Sequence, residues 1–205
     1  MNWMKKVAVA LVCLLPLGLQ AAKVDTLQVK SPSMNKSIEV VVVSPDVAAT
    51  KACPVIYFLH GYGGNARTWV GIKPDLSKIA DEKGIFFVCP DGKNTWYWDS
   101  PLNADVRYET FISNELVKYV DSHYKTVADR KGRAITGLSM GGHGAMWNGL
   151  RHSDVFSAAG STSGGVDIRP FPKNWEMSVQ IGEKAQYPDN WEKYTVINLV
   201  PTLKK

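Results

Sequence analysis

The sequence predicts an α/β fold in which a mostly parallel sheet carries helices on both faces. Three observations predict it. The runs "PVIYFL" (54–59) and "IFFVCP" (85–90) are continuously apolar, as strands covered on both sides are. Segments of helical period lie between such runs. From residue 54 onward strand and helix alternate, the pattern of parallel strands joined by crossover helices.

The elements follow in chain order. Residues 1–22 carry early positive charge in "MNWMKK", an apolar run "VAVALVCLLPLGL" and the small residues of "QAA". This is the pattern of a secretory signal peptide, with cleavage expected after Ala21 or Ala22. The apolar run is short for a membrane span and holds Pro16 and Gly18. A secreted or periplasmic protein with no membrane span after signal removal is expected, its single domain covering residues 23–205. Residues 24–30 and 37–43 are predicted strands joined by the turn-rich "SPSMNK". A helix is expected near 74–83, with Pro74 at its start and Gly84 past its end. Tyr108, Ile112, Leu116, Tyr119 and Val120 place one stripe on a helix over 107–125. "RAITG" is a further strand, followed by a helix to about Leu150, a strand over 155–161 and a helix over 190–200.

Composition narrows the function. A hydrophobic fraction of 45% and a charged fraction of 21% suit a globular domain. The formal charge of +5 loses two with Lys5 and Lys6, and no basic run is present, so no nucleic-acid partner is expected. Cys53 should open one strand and Cys89 close another. In parallel strands that separates the sulfurs beyond disulfide reach, so two buried thiols are expected.

Gly137, Ser139 and Gly141 form G-x-S-x-G between the strand "RAITG" and the next helix. A sharp strand-to-helix turn needs small neighbours and lifts a serine hydroxyl to the carboxyl edge of the sheet, where ligands bind. "HGYGG" (60–64) follows the strand "PVIYFL" and matches an oxyanion loop. Attack on an ester turns its carbonyl oxygen into an anion, and preformed N–H donors there are worth about 3–4 kcal/mol. Ser139 is therefore the expected nucleophile, with the backbone amides of Tyr62 and Met140 as the oxyanion donors. Trp96, Tyr97 and Trp98 in "KNTWYWDSP" (93–101) should overhang the same edge. They either stack on a sugar or aromatic acyl group or pack the loop onto the helix behind it.

"FLHGYGG", "VCPDG", "YETFISNELVKYVDSHY", "GLSMGGHGAM" and "GVDIRPF" together resemble the esterase D and feruloyl/acetylxylan esterase group of α/β-hydrolases, which includes the antigen 85 acyltransferases. The likeness covers roughly residues 25–200. It implies hydrolysis of short-chain or polysaccharide-linked carboxylic esters by a Ser–His–Asp triad, without metal or cofactor.

Triad order in this fold is serine, acid, histidine. Completing the fold after Ser139 takes roughly 75 residues at ordinary element and loop lengths, and 66 follow Ser139 in the 205-residue chain. His60 is expected to brace its loop, and His143 lies one helical turn past the serine in poor geometry. His123 ends a different helix, and His152 follows the nucleophile helix. Asp91 lies in a turn, Asp167 one strand too early, and Asp189 in an inserted segment. The expectation is a C-terminally incomplete α/β-hydrolase fold lacking its last two strands, inactive or weakly active for want of acid and base. It also leaves the strand 155–161 as a bare sheet edge, which favours poor solubility. The alternatives are a non-catalytic carbohydrate-binding or interaction protein with a degenerate hydrolase fold, and an acyltransferase.

Overall fold

The structure is a computed structural model and describes residues 22–202. All but the last residue of the expected signal peptide lie outside the described residues. Among the described residues no helix is long and apolar enough to cross a membrane.

Among the described residues six strands form one sheet in the order β1-β2-β4-β3-β5-β6. The hairpin β1 (Lys23–Ser31) and β2 (Lys36–Ser44) is antiparallel, and β2 runs antiparallel to β4 (Phe86–Pro90). β3 (Val55–Leu59) is parallel to β4 and to β5 (Arg133–Gly137), and β5 is parallel to β6 (Ala158–Ala159). Asn35 turns the hairpin at φ 48°, a conformation that asparagine tolerates better than most residues.

Side-chain alternation divides the core between the two sheet faces. Val40, Val42, Val55, Tyr57, Phe86 and Val88 point to one face. There they meet α3 (Tyr108–Thr110), a π-helical segment (Phe111–Leu116), α4 (Val117–His123) and α5 (Met140–Arg151). Tyr108, Ile112, Leu116 and Val120 are buried as the stripe requires, and Tyr119 packs partly buried beside them. Val43 and Phe87 point to the opposite face, under Leu76 and Ala80 of α2 (Leu76–Lys83) and Trp69 of α1 (Thr68–Ile72). Both faces of the central strands are therefore dry, which is why their sequences are continuously apolar. Gly84 ends α2 in the left-handed conformation at φ 62°, its N–H donating to Ala80 O. Cys53 and Cys89 are buried free thiols.

Two elements differ from expectation. The strand over 155–161 contracts to Ala158–Ala159, extended only by a bridge from Leu138 to Thr162. Among the described residues it has one neighbour in the sheet, so half of its backbone groups gain nothing from extension. The helix over 190–200 is broken into α7 (Pro188–Lys193) and a 3-10 segment (Val196–Thr202). At the break Thr195 Oγ1 donates to Trp191 O at 2.6 Å, and Tyr194 Oη donates to Asp99 O at 2.8 Å.

Candidate active site

Leu59 and Gly137 are opposite one another in the β3–β5 register. The two chains leave the sheet at the same level, so "HGYGG" and Leu138–Met140 start side by side at its carboxyl edge. A β-carbon at Gly61 would stand 3.3 Å from Leu138 O and 3.5 Å from Ser139 Cβ. Glycine thus lets the first loop lie against the serine.

Ser139 occupies φ 53°, ψ −116°, and its side chain is exposed. That backbone conformation costs of order 1–3 kcal/mol and persists only where the surroundings impose it. They do so here. Ser139 N–H donates to Thr162 O at 2.9 Å, Gly141 N–H donates to Leu138 O at 2.8 Å, and Leu138 N–H donates to Leu59 O at 3.2 Å. Gly141 allows the helix to descend onto β3, since a β-carbon there would lie 2.1 Å from Leu59 O.

Met140 opens α5, so its N–H has no intrahelical acceptor. Tyr62 is the second residue of a tight turn closed by Gly64 N–H to Gly61 O at 3.0 Å. Neither the Tyr62 nor the Met140 amide donates to an acceptor among the described residues. A cavity of about 200 Å³ opens over Ser139, with Tyr62, Trp96, Asp167, Phe171 and Trp175 in its walls.

Of the three neighbouring aromatic residues, only Trp96 reaches this cavity. The expectation that Tyr97 and Trp98 contact substrate is corrected, because both are 0% exposed. The Tyr97 ring fits between Gly92 and Gly144, and its hydroxyl donates to His60 O at 3.0 Å. Trp98 stacks on Trp96 with ring centroids 5.5 Å apart. The backbone explains the split. Trp96 and Tyr97 both have positive φ, at 58° and 61°, so simple alternation of side chains fails in this loop. Trp175 also lies in the cavity wall and is 45% exposed, whereas Trp191 is buried.

The histidines have other partners. His60 Nδ1 donates to Gly61 O at 2.7 Å and its Nε2 accepts from Gly92 N–H at 2.9 Å, which fixes one neutral tautomer. His143 is fully buried. Its Nδ1 donates to Gly165 O at 2.7 Å and its Nε2 accepts the indole N–H of Trp98 at 2.9 Å. Burial pushes its pKa down to about 4, against the opposing hydrogen bond to Gly165. His123 bonds to Tyr119 O, and His152 to the buried Glu109 carboxylate at 2.8 Å. No described histidine is hydrogen-bonded to Ser139.

The acids divide as well. Asp91 is buried and would rise in pKa for that reason, but the Lys93 ammonium at 2.6 Å and the Lys93 backbone N–H hold it below the ordinary carboxylate range. Asp167 is brought to the cavity, where hydrogen bonds from Arg169 hold its pKa low, so it is an anion at neutral pH. Ser163, Ile168, Phe171 and Met177 of the same wall were not legible in the sequence. Ser163, Ile168 and Phe171 sit in irregular chain and Met177 opens the short helix α6 (Met177–Ile181), with positive φ at Ser163, Trp175 and Glu176, so no period marks which side chains share a face. Asn94 was missed too. It accepts from Gly63 N–H at 2.9 Å and donates to Glu176 Oε2 at 3.2 Å.

A serine raised on a strained strand-to-helix turn, at the carboxyl edge of a sheet sandwiched by helices, defines the α/β-hydrolase class. Within it, the chain belongs to the Esterase family, whose model matches residues 31–204. Esterase Rv1288 of Mycobacterium tuberculosis is 30% identical over 149 residues, 69% of this chain and 32% of that protein. The chain thus spans about a third of the length of that curated relative. The solved structure of a ferulic acid esterase is 28% identical with a TM-score of 0.72, covering 90% of this chain and 73% of that one. S-formylglutathione hydrolase of Agrobacterium tumefaciens has the same fold, with a TM-score of 0.76 at 22% identity over the same two shares.

Proposed function

We propose that the chain is an exported serine carboxylesterase acting through an acyl-serine intermediate on small-molecule or polysaccharide-linked esters. Ser139 Oγ is the attacking atom. The Tyr62 and Met140 amides receive the oxyanion, and Trp96 borders the acyl or alcohol group. One observation carries this reading: an exposed serine at φ 53° opens into a cavity that it shares with Tyr62. Unpaired donors beside a strained, exposed hydroxyl have no structural use in the resting protein and a direct use at a tetrahedral adduct. Family membership and the likeness to a ferulic acid esterase support the ester as substrate.

Among the described residues no histidine is placed as a general base for Ser139. Removing triad members in a characterised hydrolase leaves a residual rate from binding and the oxyanion donors. A serine acting with these groups alone would acylate slowly and deacylate more slowly still. The same observation favours a second reading, a non-catalytic ester- or sugar-binding protein. Turnover of p-nitrophenyl acetate by the purified chain and by Ser139→Ala separates the two. Catalysis requires a rate above buffer that disappears in the variant, whereas equal rates for both proteins leave only binding.

A further inference from the structure

We propose that Asn94 is a positioning residue for the Tyr62 amide, clamping the turn Gly61–Gly64 to the Trp175–Glu176 wall of the cavity. The inference rests on the esterase reading of Ser139.

The turn has one soft degree of freedom. Its ends are closed by Gly64 N–H to Gly61 O, and His60 Nδ1 donates to the same oxygen. Gly63 sits at φ 75°, as the third residue of a type II turn requires. The peptide between Tyr62 and Gly63 is the central one, and flipping it changes turn type while the ends stay in place. Asn94 Oδ1 takes the N–H of that peptide at 2.9 Å. A flipped peptide would turn this N–H away and change ψ of Tyr62, the torsion beside the peptide that carries the Tyr62 N–H.

Asn94 is itself oriented by chemistry. Gly63 N–H can only donate, and the Glu176 carboxylate can only accept. The Asn94 oxygen therefore faces the turn and its NH₂ faces Glu176, at 3.2 Å. The far side of the clamp is fixed by Trp96 Nε1, which donates to Trp175 O at 3.1 Å. Trp175 and Glu176 are both at positive φ, so this wall is held in a conformation that it would otherwise leave. Residues 94 and 96 thus tie the donor loop and the cavity wall into one unit.

The test follows acylation by an activated nitrophenyl ester together with the amide signals of the turn. Asn94→Ala is expected to slow Ser139 acylation about tenfold, the scale of one charge-assisted hydrogen bond, with the half-saturating ester concentration unchanged. Asn94→Asp, which sets two carboxylates face to face, should be as slow. Adding Glu176→Gln to Asn94→Asp restores a donor–acceptor pair and should return the rate to within about twofold, a rescue that loss of folding would not show. Wild-type acylation in Asn94→Ala, or no recovery in the double variant, overturns the proposal. If acylation of the unmodified chain does not depend on Ser139, the esterase reading fails instead. The clamp is then judged by hydrogen exchange alone: faster exchange at Gly63 with a shifted Tyr62 amide in Asn94→Ala upholds it, and unchanged amides refute it.

Discussion

Trp98 donates its indole N–H to Nε2 of His143 at 2.9 Å, deep under the loop that carries Ser139. With its other nitrogen bonded to Gly165 O, this histidine is a fixed neutral strut between the aromatic loop, the nucleophile helix and the cavity wall. Protonation would set an imidazolium N–H against an indole N–H, two donors with no acceptor between them.

That geometry gives a pH dependence of stability. The folded pKa of about 4 lies below the ordinary 6.5, so the unfolded chain binds the proton more readily. Stability from this group is complete above about pH 6.5, declines as pH falls, and is fully lost below about 4. A shift of this size amounts to about 3 kcal/mol. Urea unfolding across this range should show that loss, and His143→Gln, which cannot titrate, should flatten it.

A β-carbon added at Gly141 would lie 2.1 Å from Leu59 O and 2.6 Å from His60 O. Gly141→Ala should cost at least about 3 kcal/mol, the upper range for overpacking a dense site. Chemical denaturation measures this cost. A variant as stable as the parent would mean that α5 does not approach β3 as described.

Trp96 and Tyr97 are adjacent and should respond oppositely. Tyr97→Phe removes a buried hydrogen bond to His60 O and should cost about 1 kcal/mol of stability with ester affinity unchanged. Trp96→Ala removes a cavity wall and should raise the half-saturating ester concentration several-fold beyond its effect on the acylation rate. Kinetics paired with unfolding curves for both variants test the split.

Among the described residues, Ala158 and Ala159 are exposed on a strand whose pairing is with β5. An edge of this kind pairs with further copies. Sedimentation should show self-association that rises with protein concentration, and Ala158→Lys should weaken it. A monomer at all concentrations would contradict this expectation.

The central strands and the serine turn were legible because they obey local rules. β3 and β4 are buried on both faces and their sequences say so, while Gly137 and Gly141 mark a backbone crossing that tolerates no side chain. The stripe from Tyr108 to Val120 likewise declares its helix, although not the π segment within it. What the sequence concealed depends on long-range bonds and positive φ. Tyr194 bonds to Asp99, almost a hundred positions away, at the point where a helix that period alone would continue is broken. Trp98 looks like a surface aromatic until His143 is found beneath it. Asp167 was read as one strand too early for a triad, yet the irregular chain after β6 brings it to the cavity over Ser139.

The most direct test is mass spectrometry of the chain after incubation with a nitrophenyl ester. The account expects a single acyl group on the peptide holding Ser139 and none on that peptide in Ser139→Ala. Acyl groups scattered over lysines and equally abundant in the variant would contradict it.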